Sequence, residues 1–427
     1  MDQRIYQEYV KILREELMMA MGCTEPIAVA YAAALARETL GCLPEWVQVK
    51  ASANIIKNVK SVVVPNTGGQ RGIAAAAVAG IVAGDAGKKL QVLSTVTEPQ
   101  IQEMEQFLGS VPCTVEPSEQ PYVFDIQVML AGEGHTAFCE ISGYHTNVIR
   151  LEKDGTALVH REYTEQVVEH ETDRSLLNVS DIVAFADCVA LEEVRDVLQR
   201  QIDCNTAIAE EGMRGDWGAN IGRVLIRAYG DSVQNRAKAM AAAGSDARMS
   251  GCELPVVINS GSGNQGLTAS LPVIVYAREM GVDQEQLYRA LVVSNLVTIH
   301  LKTGIGSLSA YCGATSAGCG AGAGISYLHG GKSDAIAHTI VNAVAINSGM
   351  ICDGAKPSCA AKIASAVEAG LLGWQMQLQG TEFYGGDGIV TKGVENTIQN
   401  VNRVARIGMA ETDREIIEIM ISNETKC

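Results

Sequence analysis

Residues 311–325 read YCGATSAGCGAGAGI, and residues 349–362 read GMICDGAKPSCAAK. Both stretches are rich in Gly and Ala, a composition that favours helices packed closely against one another and a backbone that can approach a ligand. Both stretches also carry cysteines, because Cys312 lies in the first and Cys352 and Cys359 lie in the second. The two stretches together predict a helical core that contains several thiols.

Three thiolates can hold a [4Fe–4S] cube and leave one iron free for a substrate. The spacing of Cys312, Cys352 and Cys359 matches no ferredoxin run of closely spaced cysteines, and Cys319 competes for a place in the set. A second interpretation is that these cysteines are small core residues of Gly/Ala-rich helices. Spacing alone leaves both interpretations open.

A fourth cysteine, Cys23, lies in the sequence GCTEP at residues 22–26. Thr24, Glu25 and Pro26 suit the first turn of a helix. A thiol at a helix N-terminus feels the positive end of the helix dipole, so we expect a lowered pKa for Cys23. Such a thiol suits a nucleophile, a base or a metal ligand, and the alternative is a residue that fills a tight turn.

Three Gly-containing loops are candidates for binding an anion: PNTGG at residues 65–69, SGSGNQG at 260–266 and KTGIGS at 302–307. SGSGNQG follows a strand-like run and precedes a helix-like run, where consecutive N–H groups can bind a carboxylate or a phosphate. The lysine of a P-loop is missing. Ordinary turn chemistry explains these loops as well. The candidate substrate-binding residues are Asn66, Thr67, Ser260, Ser262 and Asn264.

Charge and composition restrict the classes of partner. The chain has 427 residues, 47% of them apolar, and a net charge of −16, which disfavours binding to nucleic acid or to an anionic membrane. Twelve cysteines without a secretion signal favour a reducing cytoplasm. We expect a small-molecule substrate, and a homo-oligomer is compatible with the sequence. Two histidines, His145 and His300, are further candidates for a chemical role.

Hydrophobic patterning predicts an α+β fold with a large Gly/Ala-rich helical lobe and a smaller mixed α/β lobe. We expect a helix over residues 4–20, a second helix ending at Gly41, and a strand in VVVPNTGG at 62–69. Short β-type runs, beginning with LQVLSTV at 90–96, continue to about residue 165, and helices follow. We predict three segments. Residues 1–45 form N-terminal helices that pack on the catalytic lobe, residues 46–175 form the mixed lobe, and residues 176–427 form the helical catalytic lobe.

Five motifs in this order resemble the L-cysteine desulfidase family: GCTEPIAVAYAAA, VPNTGG, NSGSGNQGLTASLPV and the two cysteine-containing stretches above. This family comprises PLP-independent iron–sulfur lyases related to the α chain of bacterial iron–sulfur L-serine dehydratases. The resemblance implies a [4Fe–4S] cluster held by Cys312, Cys352 and Cys359, the last after a shorter gap than in the dehydratases. It also implies that Cys23 is the proton acceptor, although Cys23 could instead be a cluster ligand.

The implied reaction is β-elimination of L-cysteine to pyruvate, ammonia and sulfide. One alternative is an iron–sulfur L-serine dehydratase, because the two substrates differ only in the atom at the γ position. A second alternative, from another class, is a non-catalytic iron–sulfur redox or iron sensor, which would need a partner surface or a DNA-binding segment.

Overall fold

A computed structural model describes residues 1–163, 172–306 and 309–422. It confirms an α+β fold, in which a large helical region accompanies a mixed six-stranded sheet. None of the helices in these three ranges combines the length and the apolar character needed to cross a bilayer.

The helices of the described residues are α1 (Gln3–Glu16), α2 (Thr24–Leu40), α3 (Ala53–Val59), α4 (Gly72–Ala83), α5 (Glu98–Ser110), α6 (Val179–Cys188), α7 (Arg195–Arg214), α8 (Ile221–Tyr229), α9 (Val233–Met249), α10 (Gly263–Met280), α11 (Gln284–Thr303), α12 (Gly313–Leu328), α13 (Ser333–Ile346), α14 (Cys359–Leu378), α15 (Val394–Arg403) and α16 (Ala410–Ser422). The strands are β1 (Met19–Met21), β2 (Trp46–Ala51), β3 (Cys113–Pro117), β4 (Asp125–Gly132), β5 (His135–Ser142), β6 (Val148–Lys153), β7 (Thr156–His160) and β8 (Pro255–Val257).

The larger sheet has the strand order β3-β2-β4-β5-β6-β7. β2 and β3 run parallel, and the other neighbours run antiparallel. Val47 and Val49 of β2 are buried and lie opposite Leu130 and Val128 of β4. This apolar face of the sheet packs against α2, which also packs against α4. The alternation of side chains along the strands therefore decides which face of the sheet is covered.

Glycines bring the helices of the large region into backbone contact. A Cβ atom on Gly318 of α12 would lie 2.2 Å from the carbonyl oxygen of Ala366 in α14, and one on Gly370 would lie 2.1 Å from the carbonyl oxygen of Gly318. No larger residue fits at these two positions without moving a helix. The close packing that the Gly/Ala-rich composition predicts is therefore present between α12 and α14.

The predicted helix over residues 4–20 is too long, because α1 ends at Glu16 and Met19–Met21 form β1. β1 pairs antiparallel with β8, a strand that lies between α9 and α10 in the sequence. Two predicted strands are also wrong. Residues 62–69 form turns with an isolated bridge from Val63 to Arg71, and the run 90–96 lies in a 3₁₀ segment that ends at residue 91 and in the turns that follow it to residue 95.

The second predicted helix is confirmed, because α2 begins at Thr24 and ends before Gly41, which has a φ of 90°. α1 packs on the helical region, where the rings of Tyr9 and Phe185 lie 5.4 Å apart, whereas α2 packs on the sheet. The division of the chain after residues 45 and 175 stays a prediction.

Candidate functional site

Two segments that are distant in sequence lie side by side at the centre of the site. The backbone N–H of Cys312 donates to the carbonyl of Met350 (2.9 Å), and that of Cys352 donates to the carbonyl of Ala310 (2.6 Å). These bonds hold Cys312 immediately before α12 and Cys352 in the loop between α13 and α14. Cys359 is the first residue of α14.

The three thiols are close enough to influence one another. A hydrogen bond between the thiols of Cys312 and Cys352 raises the pKa of Cys312 and lowers that of Cys352. Burial raises the pKa of Cys359, and the neighbouring Cys352 adds to this shift. Cys319 lies two turns further along α12 among core residues, where burial raises its pKa to about 12. The fold therefore brings together the three predicted cluster ligands and places Cys319 in the core.

Two buried ammonium groups accompany the thiols. Lys57 and Lys302 are 3% and 6% exposed, and both favour the thiolate form of Cys352. Burial lowers the pKa of Lys302 to about 8, although the thiols of Cys352 and Cys312 oppose that shift. Positive charge at this place offsets the negative charge of thiolates and of an anionic group bound to them. The sequence analysis missed Lys57, because nothing in its local sequence distinguishes it from an exposed lysine.

Several helices begin at the site. Cys23 immediately precedes α2, Ser262 precedes α10, and Cys312 precedes α12. The side chains of these three residues make no capping hydrogen bond to the helices that follow them. The first N–H groups of these helices, together with the N-terminus of α14 at Cys359, supply partial positive charge. The site is therefore suited to negatively charged groups.

Cys23 lies in this site and is 2% exposed. It packs with Met249 and with Ala355, which belongs to the loop between Cys352 and Cys359. The expectation of a lowered pKa is wrong: burial raises the pKa of Cys23, and the Glu25 carboxylate adds to this shift. The cost of burying a thiolate exceeds the stabilisation by the helix dipole, so the thiol is protonated at neutral pH.

Glu25 is the direct partner of Cys23. The thiol of Cys23 donates to Glu25 Oε2, with Sγ and Oε2 3.3 Å apart. The carboxylate also accepts hydrogen bonds from Thr24 Oγ1 (3.0 Å) and from Asn58 Nδ2 (3.1 Å). The sequence analysis assigned Glu25 only to the first turn of α2. The structure places it where it can accept the proton of Cys23.

The SGSGNQG loop joins Cys23 from the other side. Thr24 Oγ1 lies 3.1 Å from the carbonyl oxygen of Gly261, so its one hydroxyl hydrogen is shared between this carbonyl and Glu25 Oε2. Ser262 immediately precedes α10, and Asn264 lies in its first turn. The backbone N–H of Ser260 donates to Glu16 Oε2 at 2.7 Å, which ties the loop to the end of α1. Three of the predicted substrate-binding residues thus lie at the site, and their contact with a substrate stays a prediction.

The PNTGG loop packs against the same turn, because a Cβ atom on Gly22 would lie 2.1 Å from Pro65 Cγ. The side chains of its two candidate residues bind their own surroundings. Asn66 Nδ2 donates to the carbonyl of Leu93 and Thr67 Oγ1 to that of Val64, each at 2.7 Å. These bonds hold the loop in shape, and substrate binding by Asn66 and Thr67 stays a prediction.

Arg248 is a buried arginine near Cys23 and Cys359 that the sequence did not predict as a site residue. Arg248 is 2% exposed. Its Nε donates to the carbonyl of Gly22 at 2.7 Å, and its Nη1 donates to Asn264 Oδ1 at 3.0 Å. It lies close enough to lower the pKa of both Cys23 and Cys359. In the sequence it occupies the last turn of an ordinary helix, so only its burial reveals it.

The two candidate histidines have different surroundings. His145 is partly buried beside Gly261, its enclosed Nε2 has no hydrogen-bond partner among the described residues, and desolvation lowers its pKa. It therefore borders the site in the neutral form. His300 lies on α11, with its Nε2 2.6 Å from Glu395 Oε2. That pair links α11 to α15.

A cavity of about 380 Å³ opens beside the loop that carries Cys352. Its lining combines Lys57, Asp353 and Lys356 with apolar side chains of α16. Lys356 and Lys362 both reach the carboxylate of Asp353. A small polar molecule has room beside Lys57 and Asp353.

The donor set fits an iron–sulfur cluster better than a single ion. Within the described residues, no three His, Cys, Asp or Glu side chains form a group that would hold one metal ion. In a [4Fe–4S] cube each thiolate binds a different iron, so the thiols need not converge on one point. That requirement is met in chemistry by the thiols of Cys312, Cys352 and Cys359. The neighbouring Lys57 and Lys302 supply positive charge beside them.

Comparison with known proteins identifies the class. Residues 87–418 match the serine dehydratase alpha chain family, and the chain belongs to that family of lyases. The matched range contains Cys312, Cys352 and Cys359, whereas Cys23 precedes it. The expected relation to the serine dehydratase α chain is thereby confirmed.

The chain is also similar over almost its whole length to proteins named UPF0597. It is 57% identical to the UPF0597 protein of Desulfitobacterium hafniense over 98% of this chain and 97% of that protein. It is 50% identical to the UPF0597 protein of Lachnoclostridium phytofermentans and 43% identical to that of Treponema denticola, with coverage of 98% and 99% of this chain and 100% of each relative.

Proposed function

We propose that this protein is an iron–sulfur-dependent lyase that converts L-cysteine and water into pyruvate, ammonia and sulfide. The observation that carries this proposal is the meeting of three thiols from two separate segments with a fourth thiol that is paired with a carboxylate. Membership in a serine dehydratase family supports an elimination of this type. The proposal retains a reducing cytoplasm as the compartment, a small molecule as the substrate, and a homo-oligomer as a compatible assembly.

Cys312, Cys352 and Cys359 would hold a [4Fe–4S] cluster. When bound, such a cluster supplies a Lewis acid at the iron that no protein thiolate occupies. Iron favours sulfur ligands, so the thiol of L-cysteine is a suitable leaving group. Lys302 and Lys57, the latter also ion-paired with Asp413 at 2.5 Å, supply positive charge near the thiolates, and burial of the site keeps bulk water away.

Cys23 and Glu25 carry out the proton transfer from Cα of the substrate. The Cys23 thiol is protonated at neutral pH and becomes a base only after its proton passes to the Glu25 carboxylate, 3.3 Å away. The thiolate then accepts the proton from Cα of the substrate. The electron pair left at Cα forms a double bond to Cβ while the Cβ–S bond breaks, and sulfide leaves. The resulting aminoacrylate becomes an imine, which water hydrolyses to pyruvate and ammonia.

L-serine is the second candidate substrate, and the family match favours it. The same residues would then remove the Cα proton and expel hydroxide in place of sulfide.

The test uses anaerobically purified protein with L-cysteine and L-serine at equal concentrations, and it measures sulfide, pyruvate and iron. Formation of sulfide and pyruvate from L-cysteine supports the desulfidase. Pyruvate from L-serine alone supports the dehydratase. An iron–sulfur protein that turns over neither substrate would favour the sensor. The Cys312→Ala variant is the control for cluster-dependent turnover.

A further inference from the structure

We propose that Arg248 binds the α-carboxylate of the amino-acid substrate through its Nη2 amino group. This inference rests on the proposed function and adds to it the residue that recognises the substrate as an α-amino acid. It assigns a binding role to a side chain outside the five loop residues predicted to bind substrate.

Arg248 is a buried charge that makes no ion pair within the described residues. It is 2% exposed, its hydrogen bonds go to uncharged groups, and the Glu25 carboxylate acts on the same neighbours, Cys23 and His145, without contacting it. Its three hydrogen-bond partners are the carbonyl of Gly22, Asn264 Oδ1 and the sulfur of Met249. A guanidinium is costly to bury without an anion. The fold therefore keeps a positive charge ready for an anionic ligand.

The guanidinium of Arg248 also has a free edge. Nε and Nη1 make the hydrogen bonds above, whereas Nη2 makes none to a described residue and is not among the fully enclosed polar atoms. Nη2 therefore reaches accessible space. The planar, permanently charged guanidinium matches a carboxylate in geometry and in charge.

The position of Arg248 also suits this role. Arg248 acts electrostatically on Cys23, on His145 and on Cys359, so it lies near both the proposed base and one of the proposed cluster ligands. Glu25 engages Cys23 and Asn58 and is not in ion-pair contact with Arg248. A carboxylate bound at Nη2 would hold the adjacent Cα next to Cys23.

Gly263 leaves the space that the Arg248 side chain occupies. A Cβ atom on Gly263 would lie 2.3 Å from Arg248 Nε. Gly263 is the first residue of α10, so its lack of a side chain lets the guanidinium approach the N-terminus of that helix. The uncapped N–H groups there are available to the second oxygen of the same carboxylate.

The test compares ligands with and without a carboxylate. Sulfide release is measured from L-cysteine and from L-cysteinamide by wild-type protein, by Arg248→Gln and by Arg227→Gln, which alters an exposed arginine on α8. We expect Arg248→Gln to lower kcat/KM for L-cysteine by about 10²–10³-fold and to leave that for L-cysteinamide nearly unchanged. Arg227→Gln should change neither. Equal loss for both substrates, with iron retained, would overturn the proposal and make Arg248 a structural residue.

A second measurement is independent of turnover. Calorimetric titration of the anaerobic protein with L-alanine and L-alaninamide reports carboxylate binding even if no sulfide is formed. Wild type should bind L-alanine more tightly, and Arg248→Gln should lose that difference. If Arg248→Gln does not fold, Gly263→Ala displaces the guanidinium but keeps the charge, and the same loss is expected. Equal binding of the two ligands by wild type would refute the carboxylate site without bearing on the lyase reaction.

Discussion

Cys23 and Glu25 form a thiol–carboxylate pair in which the thiol donates to the carboxylate across 3.3 Å. The pair stands at the first turn of α2, and Thr24 and Asn58 fix the carboxylate. The carboxylate adds to the raised pKa of the thiol, and in the proposed reaction it is also the group that accepts the thiol proton.

Glu25→Gln should therefore lower kcat by about 10²-fold, because the amide keeps the shape of the side chain but cannot take the proton. The iron content and the KM for L-cysteine should stay near those of wild type. The measurement is turnover together with exchange of the Cα proton with deuterium. Glu38→Gln, an exposed position on the same helix, is the matched control, and near-normal turnover of Glu25→Gln would contradict the role.

Cys23→Ser replaces the thiol with a hydroxyl that stays protonated near neutral pH. If Cys23 is the base, the variant should keep its cluster and lose turnover by about 10²-fold or more, and the exchange of the Cα proton should be lost with it. If Cys23 is a cluster ligand, iron should be depleted under the same preparation. Full activity would exclude both roles and leave Cys23 as a turn-filling residue.

Cys312→Ala should lose the visible absorbance and the bound iron of the anaerobic protein, because it removes one of the three proposed cluster ligands. Cys319→Ala, two turns further along in α12, is the matched control and should retain both. Equal iron content in the two variants would contradict the assignment of Cys312, and full activity without iron would end the cluster hypothesis.

Air should inactivate the enzyme, since a cluster with one iron free of protein thiolate is open to oxidation. Ferrous iron and a thiol under anaerobic conditions should restore part of the activity. Hydroxylamine, which attacks PLP Schiff bases, should have no effect at matched concentration. Strong inhibition by hydroxylamine with the absorbance of a lysine Schiff base would point to PLP chemistry instead.

Glu140 on β5 makes the stability of the sheet depend on pH. Burial raises its pKa to about 7, and the charge of Asp125 adds to this effect. A carboxyl group with a raised pKa in the folded state stabilises the fold most below its unfolded pKa of about 4.3, and this stabilisation is lost as the pH rises through 7. Unfolding by urea at pH 5 and pH 8 should show a loss of about 2–3 kcal/mol from this group.

The Glu140→Gln variant should lack that part of the pH dependence, because the amide does not titrate. Glu116→Gln, at a position with 47% of its side chain exposed, should behave like wild type. Identical pH dependence in wild type and Glu140→Gln would show that Glu140 is not the titrating group.

The local sequence was sufficient to predict those elements that depend on short-range patterns. The alternation in β2 and the helix start at Thr24 with its end before Gly41 were all predictable, because periodicity and turn residues act over a few positions. Cys312 and Cys359 could be found because their motifs resemble those of a known family. β1 was missed because its pairing partner, β8, lies in a distant part of the sequence.

Only the tertiary structure decided which side chains share the site. Arg248 and Lys57 have local sequences typical of exposed helical residues, and their burial beside the thiols depends on α9 and α3 packing near the cysteine-bearing loop. The pKa of Cys23 likewise depends on the tertiary structure. Its position at a helix N-terminus favours a lower pKa, but burial in the folded protein removes water from the thiol and raises the pKa. Charge and solvation at a point depend on everything within several ångströms, and only the folded chain specifies those neighbours.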